Sequence, residues 1–492
     1  MKFGDYPKVA SFDGVAAFRA HLASLGLDMP CDDIVVGGSD SPLAGAVEVD
    51  GLRVGGRLAI NPMEGWDGGT DGSPSDNTTR RWRRFGSSGA KLIWGGEAVA
   101  VRLDGRANPH QLCLTEGTQA AIAGLRKTLI AAHRDAAGDD AGLVIGLQLT
   151  HSGRFCKPDD NTRFEPHIAF HHPILDRKFG YPAGRPVMSD DDVGRLIEDF
   201  VVAARRARDC GYDFVDIKHC HGYLGHEFLA ARTRPGRYGG SFENRTRFLR
   251  EIVRGIRAEA PGLVIGVRLS AVDFVPFHPD PATSEPGALG PGVPEDLAGL
   301  LPYVYGFGVD QSNPIEMDLV EPLALLGLLR DLGIRFVNVT LGSPYYTPHL
   351  IRPALYPPSD GYHPPEDPLV GVMRHLDVVR RLKEKFPEFC LVGSGYSYLQ
   401  DYLPNVAQAA VRLGWTDVVG LGRMVLAYPE LPIDIVGGRP LQNKRLCRSF
   451  SDCTTAPRNG LVSGCYPLDA HYKKSADFKT LAAVKKRASH AK

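Results

Sequence analysis

The segment from Lys218 to Tyr223 reads Lys-His-Cys-His-Gly-Tyr, so five side chains capable of acid–base chemistry fall within six residues. Polar residues that fit badly inside strands recur at the ends of predicted strands, at Glu64, Gln148, Lys218, Arg268, Ser394 and Arg423. One such residue would merely end a strand in solvent. Six such residues at equivalent strand ends indicate a common site, because barrel enzymes carry their catalytic residues at the carboxyl ends of their strands.

Two glycine-containing segments are suited to bind a phosphate. Gly393-Ser394-Gly395 follows the seventh predicted strand, and Gly422-Arg423 follows the eighth. Glycines let backbone N–H groups approach an anion, and barrels often hold a phosphate after these two strands. The pair predicts a phosphorylated cofactor, and Arg268 at the end of the fifth strand could then face the electron-rich edge of a flavin ring.

Short β-branched runs alternate with amphipathic stretches, which predicts parallel strands joined by helices. The predicted strands are Arg57–Met63, Lys91–Glu97, Leu143–Leu149, Phe214–Lys218, Val264–Leu269, Phe336–Val339, Cys390–Ser394 and Asp417–Leu421. Helical patterns lie between them at Leu114–Arg134, Asp190–Cys210, Glu243–Glu259, Leu369–Lys385 and Tyr402–Leu413. These units predict an α/β protein with a (β/α)8 TIM barrel. A doubly wound dinucleotide fold is disfavoured, because no Gly-x-Gly-x-x-Gly follows the first strand.

The length beyond the ~250 residues typical of a barrel is assigned to additions. Val47–Val54 is predicted to form a hairpin that caps the bottom of the barrel. Long βα-loop insertions, which would build the mouth of the site, are predicted at Arg154–Met188, Ala271–Pro314 and Ser343–Pro368. The predicted organisation is an N-terminal lead and cap over residues 1–50, the barrel over 51–435 and a C-terminal extension over 436–492. The Lys-rich end of the extension, from Ala470, is expected to be frayed.

The composition excludes several classes of function. Of the 492 residues, 43% are hydrophobic, and 57 Lys and Arg balance 57 Asp and Glu. The balance gives no reason to expect nucleic acid or an anionic membrane as a partner, and no apolar run reaches the ~18 residues of a membrane span. The start of the chain lacks the pattern of a signal peptide, so a soluble cytoplasmic protein is expected. Most of the nine cysteines are expected to be buried small hydrophobes rather than members of disulfides.

The stretch Val215–Arg247 (VDIKHCHGYLGHEFLAARTRPGRYGGSFENRTR) resembles the signature of the old yellow enzyme family of FMN-dependent NAD(P)H:flavin oxidoreductases, the ene-reductases. Supporting segments follow in family order: NPMEG at 61–65, GEAVAV at 96–101, LQLTHSGR at 147–154, VRLS at 267–270, GSGY at 393–396 and DVVGLGRMVLAYPELP at 417–432. The resemblance implies that the barrel binds FMN. It also implies NADH or NADPH as a transient reductant and a small molecule as substrate.

The resemblance further implies roles for individual residues. Pro62, Met63, Glu64, Ala98, Gln148 and Arg268 would lie around the isoalloxazine ring, and Gly393, Ser394, Gly422 and Arg423 would hold the phosphate. Tyr223 matches the family's proton donor, and His221 with Lys218 would hold the substrate carbonyl. Reduction of an activated C=C bond is therefore expected, with hydride from flavin N5 and a proton from Tyr223.

Other functions stay open. The protein could be an FMN-dependent dehydrogenase or demethylase that acts on an amine or on a C–H bond next to a carbonyl. It could also be a flavin-binding subunit without turnover of its own. The sequence leaves a homo-oligomer possible.

Two positions near the expected flavin depart from the family pattern. Lys218 stands where the first carbonyl-binding residue is normally histidine, and Glu64 stands where the family usually carries Thr or Cys. Lys218 could select an anionic or strongly enolising substrate, or it could point away while His219 takes its place. Because a buried charge is costly alone, we predict that Glu64 and Lys218 contact each other, directly or through one water. The alternative is that Glu64 turns outward to solvent.

Cys447, Cys453 and Cys465 resemble the iron–sulfur segment of larger relatives, the dienoyl-CoA reductases and trimethylamine dehydrogenase, which supply four cysteines. Here the second-ligand position reads Ser449-Phe450-Ser451. We therefore expect a degenerate loop without a 4Fe-4S cluster, with zinc or a labile cluster as the alternatives. His219 and His221 flank Cys220, but no metal is expected there.

Overall fold

A closed barrel of parallel strands forms the centre of the computed structural model, which describes residues 3–182, 184–284 and 289–490. The strands are β1 (Val47–Val49), β2 (Leu52–Val54), β3 (Leu58–Ile60), β4 (Leu92–Ile93), β5 (Ala98–Ala100), β6 (Val144–Thr150), β7 (Phe214–His219), β8 (Val264–Ser270), β9 (Phe277–Pro279), β10 (Gly292–Pro294), β11 (Phe336–Thr340), β12 (Cys390–Gly393) and β13 (Val418–Leu421). The order around the barrel is β3, β4 with β5, β6, β7, β8, β11, β12 and β13, and β13 pairs back onto β3. The predicted (β/α)8 TIM barrel is confirmed.

The second predicted strand is wrong in one respect, because Lys91–Glu97 is not continuous. β4 ends at Ile93 and β5 begins at Ala98, and the glycines between them have φ angles of 144° at Gly95 and 56° at Gly96. A Cβ atom at Gly95 would lie 2.7 Å from the backbone nitrogen of Gln148, and one at Gly96 would lie 2.5 Å from the Trp82 ring. The chain breaks its strand here because only glycine fits both the dihedral angles and the close approach.

The helices are α1 (Gly14–Ser24), α2 (Asp76–Gly86), α3 (Gln119–Ala137), α4 (Pro173–Lys178), α5 (Asp190–Asp209), α6 (Leu224–Ala230), α7 (Phe242–Arg245), α8 (Arg247–Glu259), α9 (Val320–Asp331), α10 (Pro348–Ile351), α11 (Pro368–Lys385), α12 (Leu403–Arg412), α13 (Met424–Ala427), α14 (Leu431–Val436), α15 (Asp452–Arg458), α16 (Ala470–Lys473) and α17 (Asp477–His490). Three predicted helices agree with α5, α11 and α12 to within one residue at each end. The predicted helix at Leu114 starts five residues later, at Gln119, and Glu243–Glu259 is divided into α7 and α8 at Thr246.

The predicted hairpin closes the bottom of the barrel. β1 and β2 pair antiparallel, and Val49 and Val54 pack in one cluster with the interior rings of Trp94, Phe214 and Phe336. Because side chains alternate along a strand, residues 214, 216 and 218 of β7 all point inward. The barrel interior is therefore apolar at the bottom and becomes polar toward the carboxyl ends of the strands.

The predicted insertions carry small elements of their own. The insertion at 154–188 contains α4, the one at 271–314 contains the antiparallel pair β9–β10, and the one at 343–368 contains α10. Residue 183 of the first insertion and residues 285–288 of the second lie outside the described residues. The expectation of a frayed end is wrong up to residue 490, because α16 and α17 form there and Lys485 Nζ lies 2.6 Å from Asp452 Oδ1. No helix in the described ranges is both long and apolar enough to cross a membrane.

Candidate active site

One cavity lies at the carboxyl ends of the barrel strands and gathers nearly all the predicted site residues. Its lining includes Pro62, Met63, Glu64, Ala98, Gln148, Lys218, His221, Tyr223, Arg268, Ser394, Gly422 and Arg423. Gly393 is the exception, since it is buried at the end of β12 against Thr416 and Tyr396. Gly395 and Gly420 line the cavity in its place.

A buried carboxylate lies behind the lining of the cavity and holds two of the lining residues. Asp216 on β7 accepts hydrogen bonds from Trp94 Nε1 at 2.8 Å, from Gln148 Nε2 at 2.5 Å and from the backbone nitrogen of Arg268 at 2.6 Å. Burial raises the pKa of Asp216 to about 6, although these hydrogen bonds act in the opposite direction. The bonds fix Gln148 and Arg268 in position. The sequence signal for this role was a carboxylate inside an apolar strand, two residues before Lys218.

Four polar atoms of cavity-lining residues are buried and have no hydrogen-bond partner within the described ranges: Arg268 Nε, His221 Nε2, Arg352 Nη2 and Thr454 Oγ1. An unpaired buried polar atom costs about 1–3 kcal/mol, so such atoms favour a site that a ligand completes. His221 adopts a left-handed φ of 69°, and it is held by Ser270 Oγ, which accepts from its backbone nitrogen, and by Ser343 Oγ, which donates to its carbonyl. These bonds aim the imidazole into the cavity.

The glycine segments after β12 and β13 form an open cradle. Ser394 Oγ accepts from Asn61 Nδ2 at 3.2 Å, which fixes the hydroxyl at the cavity wall. A Cβ atom at Gly420 would lie 2.5 Å from the Asn61 side chain, so this position admits only glycine. At Gly422 nothing within 4 Å would meet a Cβ atom. The space beside Gly422 and Arg423 is therefore open to a ligand, as a phosphate site requires.

The cavity carries an excess of positive charge. Arg80, Arg81 and Arg458 in its wall are neutralised by Asp469, Asp67 and Asp360, respectively. Lys218, Arg268, Arg352 and Arg423 also line it, and none of these four forms an ion pair with a carboxylate in the described ranges. Burial, followed by the nearby Arg352, lowers the pKa of Arg423 to about 10. The donors present fit a phosphorylated anionic cofactor such as FMN, whose phosphate carries about two negative charges.

Tyr223 is the centre of the polar group opposite the cradle. Its hydroxyl donates to Glu64 Oε2 at 2.5 Å and lies 3.0 Å from the hydroxyl of Tyr345. The Lys218 ammonium lies over its ring, 3.7 Å from the centroid. Trp66 Nε1 donates to the other oxygen of Glu64 at 3.1 Å. Burial, followed by the charge of Glu64, raises the pKa of Tyr223 well above its usual value.

Glu64 and Lys218 were predicted to contact each other directly or through one water, and the direct form of this prediction is wrong. No ion pair joins them among the described residues; each contacts Tyr223, one at the hydroxyl and the other at the ring face. Burial lowers the pKa of Lys218, whereas the charges of Cys220 and Glu64 act in the opposite direction. Lys218 lines the cavity, whereas His219 packs away from it near Phe248, so His219 does not take its place.

The C-terminal extension forms one wall of the same cavity, which the sequence did not indicate. Cys453, Arg458 and Cys465 line it, together with Arg352 and Trp66 from the barrel loops. Cys447, Cys453 and Cys465 lie close enough to affect one another, since burial and then the other two cysteines raise the pKa of Cys465. In the described ranges, no three His, Cys, Asp or Glu side chains are arranged to hold a metal ion.

The fold and the cavity together define a (β/α)8-barrel protein whose cavity, at the carboxyl ends of the strands, carries an excess of positive charge. Residues 51–286 match the model of the NADH:flavin oxidoreductase / NADH oxidase family.

A relative and two solved structures extend this comparison. An NADPH dehydrogenase of Geobacillus sp. (strain WCH70) is 31% identical over 246 residues, which make up 48% of this chain and 64% of that protein. The chain thus spans just under two thirds of the length of that relative. The fold is similar to that of a 2-naphthoyl-CoA reductase, with a TM-score of 0.62, 19% identity and coverage of 88% of this chain and 57% of the other. It is also similar to morphinone reductase, with a TM-score of 0.54, 21% identity and coverage of 81% and 92%.

Proposed function

We propose that the protein is an FMN-dependent oxidoreductase that uses NADH or NADPH to reduce an activated C=C bond in a small molecule. One observation carries the proposal: His221 and Tyr223 line the same cavity as Arg268 and the glycine cradle at Gly422. A carbonyl-binding donor, a proton donor and a phosphate cradle are therefore available to one flavin and one substrate. The Geobacillus relative is named NADPH dehydrogenase, which supports a nicotinamide as the reductant.

The chain holds the cofactor through fixed groups. Ser394, Gly422 and Arg423 would bind the phosphate, while Pro62, Met63, Ala98, Gln148 and Arg268 would lie around the ring. Gln148 and Arg268 need no reorganisation, because Asp216 holds both. FMN, when bound, supplies the hydride. The three-cysteine segment has no part in this proposal, because three cysteines are gathered there and a 4Fe-4S cluster normally needs four.

The substrate would be held through its carbonyl oxygen. His221 Nε2 is buried without a partner, and Lys218 carries an unpaired ammonium on the same side of the cavity. Burial and the neighbouring cations Arg268 and Lys218 lower the pKa of His221 well below its usual value, so the imidazole is neutral and can donate one directional hydrogen bond. Donors aimed at a developing enolate stabilise it as an oxyanion hole does. Tyr223 would then protonate the α-carbon.

A second candidate is removal of hydrogen from a C–H bond next to a carbonyl. It is favoured by the hydrogen bond in which Tyr223 donates its proton to Glu64. A tyrosine whose proton is already directed at a carboxylate is prepared to accept a proton from carbon. Reduction and oxidation would be the two directions of one reaction in which a hydride and a proton both move, so the same residues would serve both.

The direct test is anaerobic mixing of the FMN-loaded protein with NADPH and NADH, followed by an enone. We expect rapid loss of the visible flavin absorbance with at least one nicotinamide and its return when the enone is added. Bleaching without recovery would reject C=C reduction for the enones used and favour the oxidative candidate. Absence of bleaching with both nicotinamides would point to a flavin-binding subunit without turnover.

A further inference from the structure

We propose that Glu64 is a proton-relay residue that reloads Tyr223 after each proton transfer to the substrate. The proposal rests on the proposed function for the substrate step, but the contact that carries it belongs to the protein alone. Glu64 Oε2 accepts the phenolic hydrogen bond of Tyr223 at 2.5 Å, within the range of a short charge-assisted bond.

The geometry gives Glu64 one buried and one more accessible side. Tyr223 is 3% exposed, so its hydroxyl has little direct contact with solvent. Glu64 and Trp66 are both only partly buried, and Trp66 Nε1 donates to the second carboxylate oxygen at 3.1 Å. One oxygen of Glu64 therefore faces the proton donor, and Glu64 as a residue is more exposed to solvent than Tyr223. A group that links a buried acid to water in this way is what a relay requires.

The number of available hydrogens determines the direction of the hydrogen bonds that join Tyr223 to Glu64 and to Tyr345. An ionised carboxylate only accepts, so the single phenolic hydrogen of Tyr223 is directed at Glu64. The 3.0 Å contact with Tyr345 must then be a bond that Tyr345 donates. Tyr345 consequently stabilises negative charge on Tyr223, and the ammonium of Lys218 over the ring does the same. These two contacts offset part of the cost that burial and the charge of Glu64 impose on a transient phenolate.

The steps balance without a redox co-reactant. The O–H bond of Tyr223 breaks as a C–H bond forms at the substrate α-carbon. The Glu64 carboxylate then takes a proton from solvent, and the O–H bond formed on Glu64 breaks as the phenolic O–H bond of Tyr223 re-forms. In the oxidative direction each step runs in reverse, and Glu64 starts as the carboxylate.

The charged and titratable groups that face Glu64 come from two strands and their loops. They are Lys218 on β7, Tyr223 after β7 and Tyr345 after β11, each of which interacts electrostatically with Glu64. Arg458 lies over the Tyr345 ring, 5.9 Å from its centroid. Glu64 is the carboxylate among these groups, so replacing it with glutamine removes the ionisable group that accepts the hydrogen bond of Tyr223.

The test compares Glu64→Gln with a matched control, Asp273→Asn. Asp273 also accepts a hydrogen bond from a tyrosine, Tyr346, at 2.7 Å, but it does not line the cavity. Protein without FMN, labelled at tyrosine Cζ, is titrated by ¹³C NMR, and the Tyr223 signal is assigned as the one lost in Tyr223→Phe. We expect the chemical shift of this signal to change with pH through one ionisation in the unmodified chain and in Asp273→Asn. In Glu64→Gln this pH-dependent change should be lost. Loss in neither variant, or equal loss in both, would overturn the proposal.

A kinetic readout separates the relay from the proposed function. Dithionite-reduced, FMN-loaded protein is mixed with an enone or with ferricyanide, which takes electrons without protonating carbon. Glu64→Gln should slow the enone reaction about tenfold or more and flatten its pH profile, while ferricyanide oxidation keeps its rate. Failure of the unmodified chain to react with enones would reject the proposed function and leave the relay to the NMR result. An unchanged enone rate and profile in Glu64→Gln would reject the relay alone.

Glu64→Asp guards against misfolding of the amide variant. The shorter side chain keeps the charge but cannot reach the Tyr223 hydroxyl in the same backbone position. It should therefore slow the enone reaction as Glu64→Gln does, while its carboxylate still affects the Tyr223 signal in the NMR titration. An enone rate in Glu64→Asp equal to that of the unmodified chain would count against the relay.

Discussion

Two tyrosine–carboxylate pairs lie side by side above the barrel and differ mainly in what surrounds them. Tyr223 donates to Glu64 at 2.5 Å in the cavity wall, and Tyr346 donates to Asp273 at 2.7 Å behind it. The adjacent residue Tyr345 contacts the first pair. The same tyrosine–carboxylate hydrogen bond therefore occurs twice. The pair of Tyr223 and Glu64 in the cavity wall is called the open pair, and the pair of Tyr346 and Asp273 outside the cavity is called the closed pair. The surroundings of each pair determine what it can do.

The open pair has a cation and access to solvent, whereas the closed pair has neither. Lys218 lies over the Tyr223 ring, and Glu64 is only partly buried. Asp273 is 6% exposed and has no cation within ion-pair distance in the described ranges, so burial raises its pKa to about 7. A carboxyl group in that setting is a structural acceptor that prefers to be neutral. The comparison teaches that the tyrosine–carboxylate bond becomes chemically useful only where a charge and a path for protons accompany it.

The largest expected difference between the pairs concerns catalysis. Tyr223→Phe should slow enone reduction by about 10²- to 10⁴-fold, the range that a positioned general acid contributes, while flavin reduction by NADPH keeps its rate. Tyr346→Phe removes a hydroxyl with the same hydrogen-bond role outside the cavity and should leave both rates close to those of the unmodified chain. Stopped-flow measurement of the two half-reactions checks this. Equal losses in the two variants would remove the distinction between the open and closed pairs.

The closed pair should instead affect how the free energy of unfolding depends on pH. The pKa of Asp273 is about 7 in the folded chain, against ~3.9 in an unfolded one, so its contribution is fully present below about pH 4 and is lost as the pH rises through 7. Asp273→Asn lacks this titration. The free energy of unfolding of the variant, relative to that of the unmodified chain, should rise by a few kcal/mol between pH 5 and pH 8.

Urea unfolding at the two pH values measures the difference, with Glu64→Gln as the comparison from the open pair. The result expected for Asp273→Asn would be contradicted by a constant stability difference from the unmodified chain across this range. Such a constant difference would place the carboxyl of Asp273 in contact with water.

The barrel and most of the cavity lining could be predicted from the sequence because both depend on local patterns. Strand periodicity placed Gln148, Lys218 and Arg268 at strand ends, and parallel strands in a barrel bring such ends together. The break between β4 and β5 could not be predicted, because it depends on how closely Gly95 and Gly96 pass Gln148 and Trp82.

The pairings inside the site also required the structure. Tyr223 and Glu64 are separated by 159 residues, and the sequence identified both without their bond. The predicted partner of Glu64 was Lys218, since opposite charges suggested an ion pair. The phenol hydroxyl takes the carboxylate instead, and the ammonium is stabilised on the ring face. The wall formed by the C-terminal extension was missed because no periodic pattern indicates where an irregular segment packs.

The smallest predicted effect concerns the cation that only the open pair has. Lys218→Ala should weaken binding of an α,β-unsaturated carboxylate about tenfold while changing the affinity for the matching neutral enone much less, because a charge-assisted hydrogen bond contributes about 1.5–3 kcal/mol. Lys157→Ala is the matched control, since Lys157 also lies over an aromatic ring, 4.1 Å from the centroid of Phe164, outside the cavity. Dissociation constants come from the perturbation of the flavin spectrum. Equal weakening of both ligands would mean that Lys218 acts by packing against Tyr223 rather than by its charge.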